Sequence, residues 1–192
     1  MTMKPRWMVI AVVLALAPAA GRAQQYDPAV LQQQAAQGNA TAAFELGTLE
    51  YVGINVVQDY VGAVTLLRQA AGAGNAEAAC EAGFLYQTGS VGQGPPPPDP
   101  GSAAIWYGKA ASAGNACGEF GLAALYAQGR GVAKSPRQAE TLFGQAAAQG
   151  FSRDPASFPL EQLQERFYAA ALHLTGQTQW VDTVSASAGG GG

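Results

Sequence analysis

Charge and reactive side chains are what this 192-residue sequence has least of. Only 12% of its residues are charged, about half the usual share, which excludes a long acidic or basic tail. It has one histidine, His173, and two cysteines, Cys80 and Cys117. A single imidazole in a run of apolar and polar residues reads as a solvated or capping side chain rather than a catalytic base. No Gly-x-Ser-x-Gly elbow, phosphate-cradling glycine loop or metal-ligand spacing occurs, so nothing in the sequence calls for a cofactor, a metal or a catalytic residue. No apolar run reaches the ~20 residues that a membrane-spanning helix needs.

Basic residues are concentrated where they say least about the folded protein. Residues 1–23 place Lys4 and Arg6 ahead of an apolar run from Trp7 to Ala17, then small residues ending at Ala23. That is the layout of a cleaved secretory signal peptide, and with no cysteine near the junction there is no site for a lipid anchor. Removing Lys4, Arg6 and Arg22 leaves seven bases against thirteen acids, a net charge of −6 where the whole chain has −3. Nucleic acid is excluded as a partner, since phosphate binding needs a basic excess on some face. A periplasmic or secreted protein with no membrane anchor is expected. In that compartment Cys80 and Cys117 are candidates for a disulfide, with two separately buried thiols as the alternative.

What the sequence does have is alanine, 40 residues of it, and a repeat. Gly38-Asn39-Ala40, Gly74-Asn75-Ala76 and Gly114-Asn115-Ala116 recur, and with Gly150 the glycines are spaced by 36, 40 and 36 residues. Pro95 to Pro98 account for the longer interval. Eight residues after each Asn stands a small residue, Gly47, Gly83 or Ala123; three further on come Glu50, Tyr86 and Tyr126. A turn follows in Gly53-Ile54-Asn55-Val56 and Gly129-Arg130-Gly131-Val132, where Gly and Asn take positive φ cheaply. Asp59, Asp99 and Ser135 then stand as helix N-caps, the last two before Pro100 and Pro136. Ala63, Ala103 and Ala139 begin apolar series with steps of three and four, and each series closes at a repeat glycine.

Each unit therefore predicts two antiparallel helices, an A helix (about 40–52, 76–88, 116–128) and a B helix (about 59–73, 99–113, 135–149). Stacked units bury faces that no helix pair buries alone, so the fold class is all-α, a right-handed superhelical solenoid of about three repeats. The solenoid is assigned to residues 24–176, with repeats at about 40–75, 76–115 and 116–150. Pro28 to Gln37 reads as a solitary opening helix, and Leu160 to Leu174 as a closing cap with Leu160, Leu163, Phe167, Ala170, Ala171 and Leu174 on one face. Residues 177–192 read as a disordered Gly/Ser/Ala tail.

These residues resemble the Sel1-like repeat, a relative of the tetratricopeptide repeat. The resemblance is carried by Leu46-Gly47, Tyr86, Leu125-Tyr126, Gly129-Arg130-Gly131-Val132, Asp59, Asp99, Trp106-Tyr107-Gly108-Lys109-Ala110-Ala111 and the Gly-Asn pairs, over about residues 30–150. Glu50 departs from the usual Tyr, Ala123 from Gly, and the second unit has an expanded turn. What the resemblance implies is a non-enzymatic protein-binding module, an adaptor or regulator in the bacterial cell envelope, whose A helices line a concave face. Cysteine-rich exported relatives have been discussed as β-lactam binders or hydrolases. They carry a cysteine pair in every repeat, and this chain does not.

The A helices contain Glu45, Glu50, Glu77, Glu81 and Glu119 and no Lys or Arg. With the implied geometry they make an acidic groove, and Glu45, Glu50, Glu81, Glu119, Tyr51, Tyr86 and Tyr126 become the candidate contacts for a basic or neutral peptide or protein segment. Glu77 lies in a first helical turn, where it also complements the helix dipole. The plainer alternative is that the glutamates are solvated and the tyrosines are core. A structural subunit of an envelope complex, contacting others through its convex B-helix face, is the competing function. Pro95 to Pro98 reads as a rigid spacer rather than a ligand.

Overall fold

The computed structural model describes residues 27–89, 97–151 and 160–175. Residues 1–23, expected to be a signal peptide, residues 177–192, expected to be a disordered tail, and Pro95 and Pro96 of the proline run lie outside the described residues, as do the side chains of Leu160 and Leu163.

Eight helices are present among the described residues: α1 Pro28–Ala36, α2 Ala40–Val52, α3 Tyr60–Gly72, α4 Ala76–Thr88, α5 Pro100–Ser112, α6 Ala116–Gln128, α7 Pro136–Ala148 and α8 Leu160–Leu174. They form an all-α helix-turn-helix solenoid in which each of α1 to α6 packs against the next. Helices α2, α4 and α6 are the A helices and α3, α5 and α7 the B helices. No helix among the described residues is long and apolar enough to cross a membrane.

The Gly-Asn pair works as a single hinge. At the end of α3 the Asn75 amide donates to the Ala70 carbonyl at 3.1 Å, and at the end of α5 the Asn115 amide donates to Ala110 at 3.0 Å. Such a six-residue closure needs a left-handed residue just before it, and Gly74 and Gly114 have φ of +96° and +73°. The same Asn then starts the next helix: the Asn75 Oδ1 accepts from the Ala78 amide at 2.9 Å, and that of Asn115 from Gly118 at 3.0 Å. One dipeptide thus ends a B helix and opens an A helix. At the other end of each unit the Asp59, Asp99 and Ser135 amides donate to the carbonyls of Glu50, Tyr86 and Tyr126, while their side chains cap α3, α5 and α7.

Close approach comes from the missing Cβ atoms. Tyr107 of α5 is fully buried and lies over Gly83 and Gly121, where a Cβ would stand 2.7 and 2.5 Å from its ring. Its hydroxyl donates to Gln87 Oε1 at 2.8 Å, satisfying the one polar atom it buries. Gly47 similarly accepts Leu66 and Leu67 of α3. Between repeats, Cys80 of α4 and Cys117 of α6 form a disulfide across Cα atoms 6.0 Å apart. The Gln69 amide of α3 donates to the Ala35 carbonyl at 2.6 Å, fastening α1 to the first repeat.

Two apolar clusters result. The larger runs from Leu31 and Ala35 through the first two repeats to Cys117 and Leu125, and takes in Phe167, Ala171 and Leu172 of α8. The smaller is formed by Phe120, Ala123, Ala139, Phe143 and Ala146 of the third repeat. The C-terminal helix is present where the sequence places it, but its packing is on α2 at the opposite end of the repeat array. An apolar stripe tells that a helix is covered; it does not say by what.

Candidate functional site

The A-helix face is where the solenoid presents side chains from several repeats side by side. Its best-defined feature is an aromatic slot between the last turn of α2 and the middle of α4. Tyr51 and Phe84 stand with ring centroids 6.2 Å apart at 76°, and Tyr60 at the start of α3 lies 5.9 Å from Tyr51. Phe167 of α8 fills the slot, 5.3 Å from Phe84 and 6.2 Å from Tyr51, edge to face with both. That geometry is the favoured one for aromatic pairs.

Tyr51 is 4% exposed, and its hydroxyl has no hydrogen-bond partner among the described residues. Burial, with Tyr60 and Glu81 nearby, pushes its pKa far above the ordinary phenol value. A neutral phenol with an unused donor therefore lies buried near Tyr60 and Glu81.

The glutamates separate into two kinds. Glu81 is 1% exposed and its Oε2 lies 2.8 Å from Thr48 Oγ1 of the preceding A helix. Glu119 is buried and accepts from Gln149 Nε2 at 3.0 Å. Glu77, half-buried, accepts from Asn115 Nδ2 at 2.7 Å. Glu81 and Glu77 join one repeat to the next, and Glu119 ties the start of α6 to the end of α7 within the third repeat. Glu45 and Glu50 remain partly exposed on α2. Burial raises the pKa of Glu45, and burial together with the neighbouring Asp59 raises that of Glu50. Both Glu50 Oε2 and Asp59 Oδ2 crowd the space beside Gly62, which only glycine leaves open.

Of the seven candidate contacts, Glu81 and Tyr51 are core groups, and Glu119 is engaged with Gln149. The reason is the same for each: an A helix is flanked on both sides, so its acids and tyrosines can face a neighbouring helix or turn as readily as solvent. Glu45, Glu50, Tyr86 and Tyr126 are half-buried, with Tyr86 and Tyr126 packed along the margins of the two apolar clusters. Thr48, Phe84 and Gln149 are the residues that sequence reasoning passed over. Phe84 and Thr48 occupy the same repeat position, nine after Asn75 and Asn39, a place that the repeat pattern leaves to either an aromatic or a hydroxyl.

Chemistry on bound molecules has little to work with here. No group of three or more histidine, cysteine or acidic side chains able to hold a metal ion occurs among the described residues, and His173 is exposed on α8. A shallow cleft of about 390 Å³ at the starts of α4 and α6 is lined by Ala76, Glu77, Gly114, Asn115, Gln149 and Phe151, among others. Its polar side chains Glu77, Asn115 and Gln149 are already hydrogen-bonded within and between repeats.

The family described as Sel1 repeat matches residues 40–75, 76–115 and 118–151. Among solved structures, a protective antigen present in uropathogenic Escherichia coli strains and displaying an SLR fold is 30% identical with a TM-score of 0.61. The alignment covers 77% of this chain and 32% of that one, so this chain spans about a third of the antigen's length. A Sel1 repeat protein from Oxalobacter formigenes is 30% identical with a TM-score of 0.54, covering 70% of this chain and 95% of that one. No curated protein matches the chain in sequence.

Proposed function

Because the chain belongs to the Sel1 repeat family, we propose that it is a non-enzymatic adaptor of the bacterial cell envelope that captures a protein or peptide segment on its A-helix face. The observation that carries this reading is the seating of Phe167 between Tyr51 and Phe84: this face takes up a helix by burying an aromatic anchor. Such anchors supply most of the affinity at protein interfaces.

Selectivity would come from the acids at the rim. Glu45 and Glu50 are the partly exposed carboxylates of that face, and the A helices carry no Lys or Arg to offset them. A basic or neutral segment suits this charge. Tyr86 and Tyr126 extend the surface along the second and third repeats. The envelope location rests on the signal-like residues 1–23, and the Cys80–Cys117 disulfide is at home in an oxidising compartment.

The B-helix surface supports a second reading, that of a structural subunit. Arg68 and Lys109 lie over the Trp106 ring of α5, with their charged groups 5.9 and 3.9 Å from its centroid, and Val61 and Ile105 on the B helices are 63% and 61% exposed. A pull-down from native envelope extract separates the two. Mature wild type is compared with Glu45→Ala/Glu50→Ala and with Trp106→Ala/Ile105→Ala, each checked for unchanged helical content. The adaptor reading expects a protein captured by wild type, lost with the glutamates and released by salt. Loss with Trp106 and Ile105 alone would transfer the function to the B-helix surface.

A further inference from the structure

We propose that the slot between Tyr51 and Phe84 is a docking surface for an amphipathic helix of a partner protein, and that α8 is the intramolecular occupant which that helix displaces. This rests on the A-helix face being the binding face and names what it binds.

Helix α8 differs from the others in how it joins the fold. Helices α1 to α7 pack in sequence order, each on the next, whereas α8 follows the third repeat and packs on α2 of the first. Eight residues, 152–159, separate it from the last residue of the array. Among its described side chains the hold is a ridge of Phe167, Ala171 and Leu172, of which Phe167 is 3% exposed and Ala171 fully buried. Tyr168 beside them is half exposed. An aromatic knob followed four residues later by a small residue is how a helix lays its apolar stripe into a groove.

The fit is incomplete at one atom. The hydroxyl of Tyr51, whose ring packs edge-on to Phe167, is buried with no partner among the described residues. A buried donor left unmade weakens the arrangement that seals it. A helix with the same aromatic and small residues, plus a side-chain acceptor beside them, would satisfy that hydroxyl. The tether gives α8 its advantage, because a linked segment competes at an effective concentration that a free one must exceed. The partner's chemistry follows: an amphipathic helix with an aromatic anchor, a small residue one turn on, and a Gln, Ser or carboxylate next to the anchor.

The test uses the full chain and a labelled synthetic peptide of residues 158–176. Phe167→Ala loosens α8 in the chain while leaving the slot intact. Since apparent affinity is the intrinsic affinity scaled by the open fraction, the variant should bind the peptide at least about 10-fold more tightly than wild type. Adding Phe84→Ala should abolish binding, and a peptide carrying Phe167→Ala should not bind. Equal binding by wild type and the Phe167→Ala chain, or none by either, with helical content retained, overturns the proposal. Hydrogen exchange on wild type supplies a readout that needs no folded Phe167 variant. Amides of α8 should open at least about 100-fold more often than those of α4, and Tyr51→Phe, which removes the unpaired donor, should slow them. Exchange in α8 as slow as in α4 overturns the proposal as well. Partner capture that depends on Glu45 and Glu50 without peptide binding would sink only the displaceable helix, while peptide binding without such capture would sink only the envelope-adaptor reading.

Discussion

Glu81 Oε2 and Thr48 Oγ1 lie 2.8 Å apart in the core, and Thr48 Oγ1 is also 3.0 Å from the Phe44 carbonyl. A hydroxyl has one proton to give, so it cannot donate to both. Burial pushes the Glu81 pKa up to about 8, which leaves the carboxyl protonated at neutral pH. The Thr48 hydroxyl donates to Glu81 Oε2 and offsets part of that burial, while the Phe44 carbonyl keeps its helical amide partner.

Stability should therefore fall as pH rises. The folded pKa lies above the unfolded value, so the stabilisation is complete below about pH 4.5 and is lost progressively up to about pH 8. Denaturant titration of wild type at pH 5 and pH 8.5 should differ by a few kcal/mol, on the scale of ~1.4 kcal/mol per pKa unit. Glu81→Gln, which is neutral throughout, should flatten the profile. A wild-type profile that is already flat would show that Glu81 is solvated.

The sign of a Gly→Ala change should depend on what each Cβ meets. At Gly83 it meets the buried Tyr107 ring, which Gln87 pins in place, and the overpacking should cost about 1–3 kcal/mol. At Gly108 in α5 a Cβ meets nothing within 4 Å, so Gly108→Ala should add about 0.5–1 kcal/mol through helix propensity. Thermal unfolding of the two variants checks both signs.

Reducing the Cys80–Cys117 bridge should destabilise the junction of the second and third repeats. It spans a sequence separation of 37 residues, for which chain entropy gives about 3–4 kcal/mol. Melting with and without a reductant, using Cys80→Ala/Cys117→Ala as the reductant-insensitive control, measures it. Identical melting curves would mean that the bridge contributes nothing.

The repeat was legible because its signals are local. Gly74 and Asn75 act within a few residues of themselves, and so do Asp99 and Pro100, which is why the A helices fall on residues 40–52, 76–88 and 116–128 as the sequence predicts. The pairing of Cys80 with Cys117 needed only two helices side by side. The site was less legible. Whether a glutamate on an A helix faces solvent or a neighbour depends on one residue in the adjoining repeat, as Thr48 decides for Glu81, and three glutamates at similar spacing look alike in sequence. The place of α8 depends on the slot that Phe84 and Tyr51 make from two separate repeats, and no feature between residues 160 and 174 points to it.

A double-mutant cycle between Phe167 and Phe84 tests most directly that the A-helix face receives a helix through an aromatic anchor. Stabilities of Phe167→Leu, Phe84→Leu and the double variant, measured by denaturant titration, should show a coupling of about 0.5–1.5 kcal/mol, as expected of an edge-to-face pair in contact. Additive effects, with no coupling beyond error, would mean that α8 does not occupy the slot and would remove the observation on which the binding face rests.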